Sequence, residues 1–196
     1  METQFKEGPC SKAKTYTNPG DTMRNKNVIF ITHTAAIGAI YVVLTLLANA
    51  MGLANYAVQI RFSEVLTVLP LFTPAAIPGL FAGCILSNIL TGCLIPDVIF
   101  GSIATLICAI GTYIISRKVK RNIARWLAPI PPIIANMLIV PQILIRVYHL
   151  PGTLLFFTAT VGLGEVISCF ILGELLIYAV SPIAGKLFSM GQDSWN

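Results

Sequence analysis

The chain has 196 residues, of which 56% are hydrophobic and 11% charged, and its formal net charge is +5. A soluble domain usually carries about 25% charged residues, so this composition excludes an independent soluble protein and indicates an integral membrane protein. The basic residues lie beside the apolar segments, which is typical of a membrane surface and not of nucleic-acid binding.

The N-terminal 27 residues are polar and rich in Lys, Thr and Asn. We predict that residues 1–27 form a disordered leader. Met23 is followed by RNKN and the first apolar run, so it is a candidate for the true start of the protein, and we expect no signal peptide. Residues 28–186 are predicted to form one transmembrane domain, and residues 187–196 a cytoplasmic tail.

Six apolar segments follow in chain order, and we predict six transmembrane helices. A membrane helix needs about 20 apolar residues, and the second segment is short. Pro70, Pro74 and Pro78 mark a break after it, which a membrane tolerates only where protein or a water-filled cavity satisfies the backbone. The six segments are 28–50, 63–72, 75–94, 97–116, 126–146 and 155–180.

Basic residues fix the predicted orientation. They precede the first segment, separate the fourth from the fifth, and follow the sixth. With six crossings all three places fall on one side, which the positive-inside rule identifies as the cytoplasm. We therefore expect both termini in the cytoplasm.

Charged residues inside the apolar part gather toward the predicted outer side. Arg61 and Glu64 lie at the outer end of the second segment, Asp97 opens the fourth, and Glu165 lies in the outer half of the sixth. Such residues are costly in a membrane and usually face a cavity or a partner. Glu64 either pairs with Arg61 one turn away or is oriented by Arg61 to bind a ligand. Asp97 is either a helix cap or a ligand contact.

Two further polar residues are candidate ligand contacts. Glu165 lies in TVGLGEVISC, where Gly162 and Gly164 permit close approach of a ligand or another backbone; the alternative is a structural hydrogen bond. Asn136 lies in the proline-rich stretch LAPIPPIIANMLIVP and either contacts a ligand or bonds a neighbouring helix. Glu174 is nine residues beyond Glu165, on the opposite helix face, so we expect it outside the same site.

Small residues in the first and third segments have a spacing that permits close helix packing. Two pairs of small residues, Ala35 and Ala39 and then Gly79 and Gly83, have the small-xxx-small spacing of close helix packing, either within the chain or against a partner.

The common motifs of ATPases and hydrolases are absent from the sequence. GxxxxGK[ST], HExxH and GxSxG do not occur, so we predict no ATPase and no enzyme. The two histidines are isolated and the five cysteines show no CxxC spacing, so we expect no metal site.

Four long motifs carry a family resemblance. YAVQIRFSEVLTVLPLFTPAAIPGLFAGCILSNIL, PDVIFGSIATLICAIGTYI, LAPIPPIIANMLIV and VGLGEVISCFILGELL resemble the QueT family, the substrate-capture subunits (S-components) of energy-coupling factor (ECF) transporters for queuosine precursors. The resemblance implies a six-helix subunit of a prokaryotic plasma membrane that works with a transmembrane coupling subunit and two ATPases. These partners use the ATP, and this chain binds no cofactor. An alanine-xxx-alanine face on the first helix meets the coupling subunit in such proteins, which assigns this role to Ala35 and Ala39.

The implied ligand suits the charged residues. A deazaguanine base presents N1–H and an exocyclic amine side by side, which one carboxylate can accept together. The aminomethyl form also carries a cation that a second carboxylate would neutralise. We assign these acids to Glu64 and Glu165, the ring carbonyl contact to Asn136, and ring stacking to Tyr56 and Phe62; Arg61 and Asp97 complete the predicted site.

One stretch departs from the family pattern, and other functions remain open. Pro141 and Gln142 stand where we expect a glycine and an acidic residue nearby, so we expect a weaker charged contact to the substrate amine at this position. The alternatives are another vitamin-like heterocycle as substrate, or a stand-alone small-molecule transporter, although we find no inverted repeat of the kind such transporters usually have.

Overall fold

The structure, a computed structural model, describes residues 19–52 and 61–188, and the regular elements of these ranges are helices. Tyr56 lies outside the described residues, so its predicted stacking role stays a prediction. The elements in chain order are α1 (Pro19–Ala50), a 3₁₀ helix (Phe62–Leu71), α2 (Ala76–Leu90), α3 (Ile95–Lys118), α4 (Arg121–Leu127), α5 (Ile130–Arg146), α6 (Leu154–Glu165), a π-helical segment (Val166–Leu172), α7 (Gly173–Val180) and α8 (Ala184–Leu187).

The predicted all-α membrane architecture agrees with these helices. Four stretches are long and apolar enough to cross a membrane: Lys26–Ala50, Ile95–Lys118, Arg121–Arg146 and Leu154–Val180. The other two predicted segments correspond to the shorter helices Phe62–Leu71 and Ala76–Leu90. Six crossings and cytoplasmic termini therefore stay predictions. Helix α1 begins at Pro19 and so includes the last residues of the segment that we predicted to be a disordered leader.

The 3₁₀ helix Phe62–Leu71 lies in the centre of the bundle. Eight of its ten residues are buried, and it packs against α1, α3 and α7. At about 2.0 Å rise per residue it extends about 20 Å, short of the roughly 30 Å hydrocarbon core. This segment is therefore a buried core element, and its ten residues match the length of the predicted short segment 63–72.

Threonine hydroxyls satisfy the backbone where prolines interrupt the helices. Between the 3₁₀ helix and α2, the Thr34 hydroxyl donates to the Ala75 carbonyl at 3.1 Å, and the Ala75 amide donates to Thr73 Oγ1 at 3.3 Å. Between α4 and α5, the Thr112 hydroxyl donates to the Ala128 carbonyl at 3.1 Å. The breaks are thus buried in protein, as a membrane requires.

Helices α1 and α2 pack through glycines. A Cβ on Gly79 would lie 2.7 Å from the Thr34 carbonyl oxygen, and one on Gly83 would lie 2.9 Å from both the Gly38 carbonyl oxygen and Tyr41 Cβ. The face of α2 that carries Gly79 and Gly83 therefore packs against α1 of the same chain. Ala35 and Ala39 instead point away from the bundle and are exposed.

The last long stretch is α-helical at both ends and π-helical in its middle. The π-helical segment begins immediately after Glu165 and places Ser168 and Cys169 in the core. A Cβ on Gly162 would lie 2.9 Å from Met137 Sδ, so α6 and α5 are close at this level. Single π turns inside α-helices occur frequently at functional sites, and this one begins next to the buried glutamate.

Candidate functional site

A cavity of about 370 Å³ lies between α1, the start of the 3₁₀ helix, the turn joining α2 to α3, and α5 with the loop that follows it. This volume falls in the lower part of the range of small-molecule pockets, about 300–1,000 Å³. Its apolar wall comes mainly from α5 through Val140, Ile143 and Leu144. The polar wall consists of Tyr41, Thr45, Asn49, Arg61, Ser63, Asn88, Thr91, Cys93, Asp97 and Tyr148.

A hydrogen bond between the loop after α5 and the first turn of α3 borders the cavity. The Tyr148 hydroxyl donates to Asp97 Oδ2 at 2.7 Å, and the Leu94 amide donates to the Tyr148 oxygen at 3.4 Å. Partial burial, and then the bond to Asp97, raise the pKa of Tyr148 above its usual value. The hydroxyl therefore remains a donor at neutral pH and ties the loop after α5 to the start of α3.

Two glutamates and an asparagine form a buried cluster beside this cavity. Glu64 is 1% exposed, Glu165 is 4% exposed and Asn136 is 3% exposed. Asn136 Nδ2 donates to Glu165 Oε1 at 2.9 Å, and Cys169 Sγ donates to Glu165 Oε2 at 3.2 Å. Carboxylate oxygens of Glu64 and Glu165 and the Cys169 sulfur all lie within 4.8 Å of one another. We call Glu64, Glu165, Asn136 and Cys169 the carboxylate cluster.

Tyr41 stands between the cavity and the carboxylate cluster. Its side chain lines the cavity, is 2% exposed, and its hydroxyl lies 3.5 Å from Glu64 Oε1. On α5, Asn136 lies one turn before the lining residue Val140, on the same helix face. The cluster therefore lies one helical turn further from the predicted outer side than the cavity wall does.

Two buried oxygens at this boundary have no hydrogen-bond partner among the residues that the structure describes. Glu64 Oε2 and Ser63 Oγ form no hydrogen bond within the described ranges, and Ser63 lines the cavity. Leaving a buried polar group unsatisfied costs about 1–3 kcal/mol, and more for a charged one. Such groups are typical of a site that completes its hydrogen bonds with a ligand or water.

The structure divides the predicted site residues into three groups. Glu64, Glu165 and Asn136 come together in the carboxylate cluster, and Arg61 and Asp97 line the cavity. Phe62 is half-buried beside Arg61 and is not a lining residue, so the geometry gives no support to its stacking role.

The departure at Pro141 and Gln142 lies next to the cavity and not in its wall. Pro141 is buried inside α5 and Gln142 is half-buried; neither lines the cavity, although their neighbours Val140 and Ile143 do.

Sequence reasoning missed several residues of the site. Tyr41 carries a hydroxyl in the middle of an apolar helix, and such a group usually has a polar partner when buried; this signal could have identified it. Cys169 is four residues after Glu165, a spacing that favours the same helix face. Tyr148 gave no comparable signal, because its role depends on a contact with Asp97, which is distant in sequence.

The carboxylate cluster has the composition of a cation site. Two carboxylates and a thiol could ligate a metal ion, or the carboxylates could accept hydrogen bonds from an ammonium group. Our expectation of no metal site rested on isolated histidines and on cysteine spacing, and it did not consider this set of residues.

Comparison with known proteins gives one match. The sequence profile of the QueT transporter family matches residues 31–182, more than three quarters of the chain. No curated protein and no solved structure matches. The matched range extends from α1 to the end of the last long stretch and includes the described residues of the cavity and the carboxylate cluster. The chain therefore belongs to the QueT transporter family.

Proposed function

We propose that this chain is the substrate-capture S-component of an ECF importer in a prokaryotic plasma membrane. It binds a queuosine precursor, a deazaguanine base, from the outer side. It then delivers the base through a transmembrane coupling subunit, with ATP used by two partner ATPases. Membership of a transporter family supports transport; the substrate and the partners are inferences from the chemistry of the site and from the QueT resemblance.

The observation that carries the substrate class is a cavity beside a buried glutamate pair. The cavity, at about 370 Å³, is sized for a small molecule. Its Asn88 amide offers both a donor and an acceptor to a heterocycle. Glu64 and Glu165, close together behind the wall, offer acceptors to the ammonium group of an aminomethyl-deazaguanine.

The charges of the site favour a cationic ligand. Among the described residues that line the cavity or form the carboxylate cluster, Glu64, Asp97 and Glu165 are acidic and Arg61 is basic. Carboxyl groups outnumber the one guanidinium there, and a buried carboxylate without a counter-charge is costly and tends to take up a proton. A base that carries an ammonium group supplies this counter-charge, and guanine itself would not.

The exposed alanines of α1 support the predicted partner surface. Ala35 and Ala39 are exposed beside larger apolar residues such as Ile40. Small residues let a second helix approach closely in a membrane. We therefore assign this face to the coupling subunit.

Calorimetric titration of the detergent-purified protein tests the function. Aminomethyl-deazaguanine is expected to bind tightly, and guanine is expected to bind at least about tenfold more weakly, a difference of 1.4 kcal/mol. Glu64→Ala and Glu165→Ala are expected to weaken binding of the first ligand. Unchanged affinity in both variants would exclude this site, and failure of the wild type to bind the base would leave another heterocycle as the substrate.

A further inference from the structure

We propose, resting on the proposed function, that the site binds the two parts of its substrate in separate compartments. The planar ring occupies the cavity, and a short primary ammonium arm passes Tyr41 and lies between Glu64 and Glu165. The carboxylate cluster then selects the aminomethyl form of the base over neutral forms with the same ring. The sequence had divided these roles differently, giving one glutamate to the ring and the other to the cation.

The ring is assigned to the cavity because only the cavity has room for it. Glu64 and Glu165 are almost fully buried, and neither is a lining residue. Cavity-lining groups that can contact a ring in its plane or on its face include Asn88, Ser63 and Tyr41. A carboxylate oxygen of Glu64 and one of Glu165 lie within 4.8 Å of each other, so a single small group can contact both.

The arm is assigned to the carboxylate cluster because of the acceptors there. Both oxygens of Glu165 already accept one hydrogen bond each, from Asn136 and Cys169, which fixes the orientation of that carboxylate. Glu64 Oε2 has no partner in the described part of the chain. An ammonium group has three N–H donors and no acceptor, so it can satisfy Glu64 Oε2 and bond Glu165 at the same time. Two close carboxylates repel each other, and a cation between them removes that repulsion.

Tyr41 lies where the arm would pass from the cavity to the carboxylate cluster. Its hydroxyl lies 3.5 Å from Glu64 Oε1, and its Cβ lies 2.9 Å from the point that a Cβ on Gly83 would occupy. Helix α2 therefore leaves the start of this side chain little space to move. A slender methylene-ammonium arm fits beside a fixed tyrosine, whereas a ring needs the tyrosine to move. We assign Tyr41 as a positioning residue for Glu64.

The test compares two ligands that share the ring. Affinities of aminomethyl-deazaguanine and of neutral cyano-deazaguanine are measured by calorimetry, directly or by displacement, for the wild type and for Glu165→Gln. The wild type is expected to prefer the aminomethyl form by about 30-fold, the effect of removing one partner from a buried charged contact. Glu165→Gln is expected to weaken the aminomethyl form by a similar factor and to change the cyano form by less than about threefold.

Three further variants separate this inference from a merely structural effect. Tyr41→Phe removes the hydroxyl contact to Glu64 and keeps the aromatic ring in the cavity wall, so it is expected to weaken the aminomethyl form about fivefold and the cyano form by a clearly smaller factor. Asn88→Ala, on the ring side, is expected to weaken both forms by the same factor. Glu174→Gln, the matched carboxyl-to-amide change in α7, should alter neither affinity, since Glu174 is outside both compartments.

The outcomes are distinguishable. Equal wild-type affinity for the two forms, or loss of both forms by the same factor in Glu165→Gln, overturns the two-compartment inference and leaves the proposed function intact. Binding of neither form by the wild type overturns the proposed function itself. Retained binding of the cyano form by Glu165→Gln also shows that the variant is folded.

Discussion

Substitution of Gly83 by alanine tests the contact between α1 and α2 on which the site depends. The new Cβ would lie 2.9 Å from the Gly38 carbonyl oxygen, 2.9 Å from Tyr41 Cβ and 3.1 Å from Gly38 Cα. Two of these atoms belong to the backbone and cannot rotate away, so the helices must separate. Overpacking costs about 1–3 kcal/mol, and we take the upper end for a backbone clash. Alanine stabilises a helix by about 1 kcal/mol relative to glycine, so the expected net decrease in the free energy of unfolding is about 2 kcal/mol.

Thermal unfolding of the purified protein measures this loss. At about 2–4 °C per kcal/mol for a chain of this length, Gly83→Ala should lower the Tm by about 4–8 °C. It should also weaken substrate binding, because Tyr41 would shift relative to Glu64. The neighbouring substitution Ala82→Leu is the control, since Ala82 is exposed and its Tm should change by less than about 1 °C. An unchanged or raised Tm for Gly83→Ala would refute the close approach of α1 and α2.

Three further predictions concern the partner surface, the orientation and the edge of the cavity. Ala35→Trp and Ala39→Trp should weaken co-purification of the coupling subunit and leave base binding unchanged; normal co-purification of both variants would count against that face. Cys93, half-exposed and lining the cavity, should react with a membrane-impermeant maleimide on intact cells, and bound base should slow the reaction; labelling from the cytoplasmic side alone would reverse the predicted orientation. Tyr148→Phe removes the hydrogen bond to Asp97 and should speed dissociation of the base about two- to fivefold in stopped-flow measurements; an unchanged dissociation rate would show that this bond does not hold the cavity closed.

The charged residues lie in two places, the cavity wall and the carboxylate cluster, and not in one pocket. From their spacing, Arg61 and Glu64 were expected to form one wall of one pocket. In the fold Arg61 lies in the cavity wall, whereas Glu64 points behind that wall toward Glu165. Both residues remain close to a substrate, and each would contact a different part of it.

The sequence by itself determined the membrane class, the main apolar segments and the polar residues that required an explanation. Glu64, Glu165 and Asn136 could be identified because an ionisable or amide group inside an apolar segment is costly and has a partner or a function. The same reasoning predicted that protein or a water-filled cavity would satisfy the backbone at the proline break after the second segment, and a hydrogen bond from the Thr34 hydroxyl does so at Ala75.

Only the tertiary structure decided which of these groups meet and how. The 3₁₀ and π-helical segments differ from α-helices in residues per turn, and hydropathy along the chain does not report that difference. The approach of α1 to α2 through Gly38 and Gly83 places the Tyr41 hydroxyl beside Glu64, a contact between residues distant in sequence. The sequence shows that a polar group lies in an apolar segment and is therefore costly to bury. The packing of several helices determines which group becomes its hydrogen-bond partner.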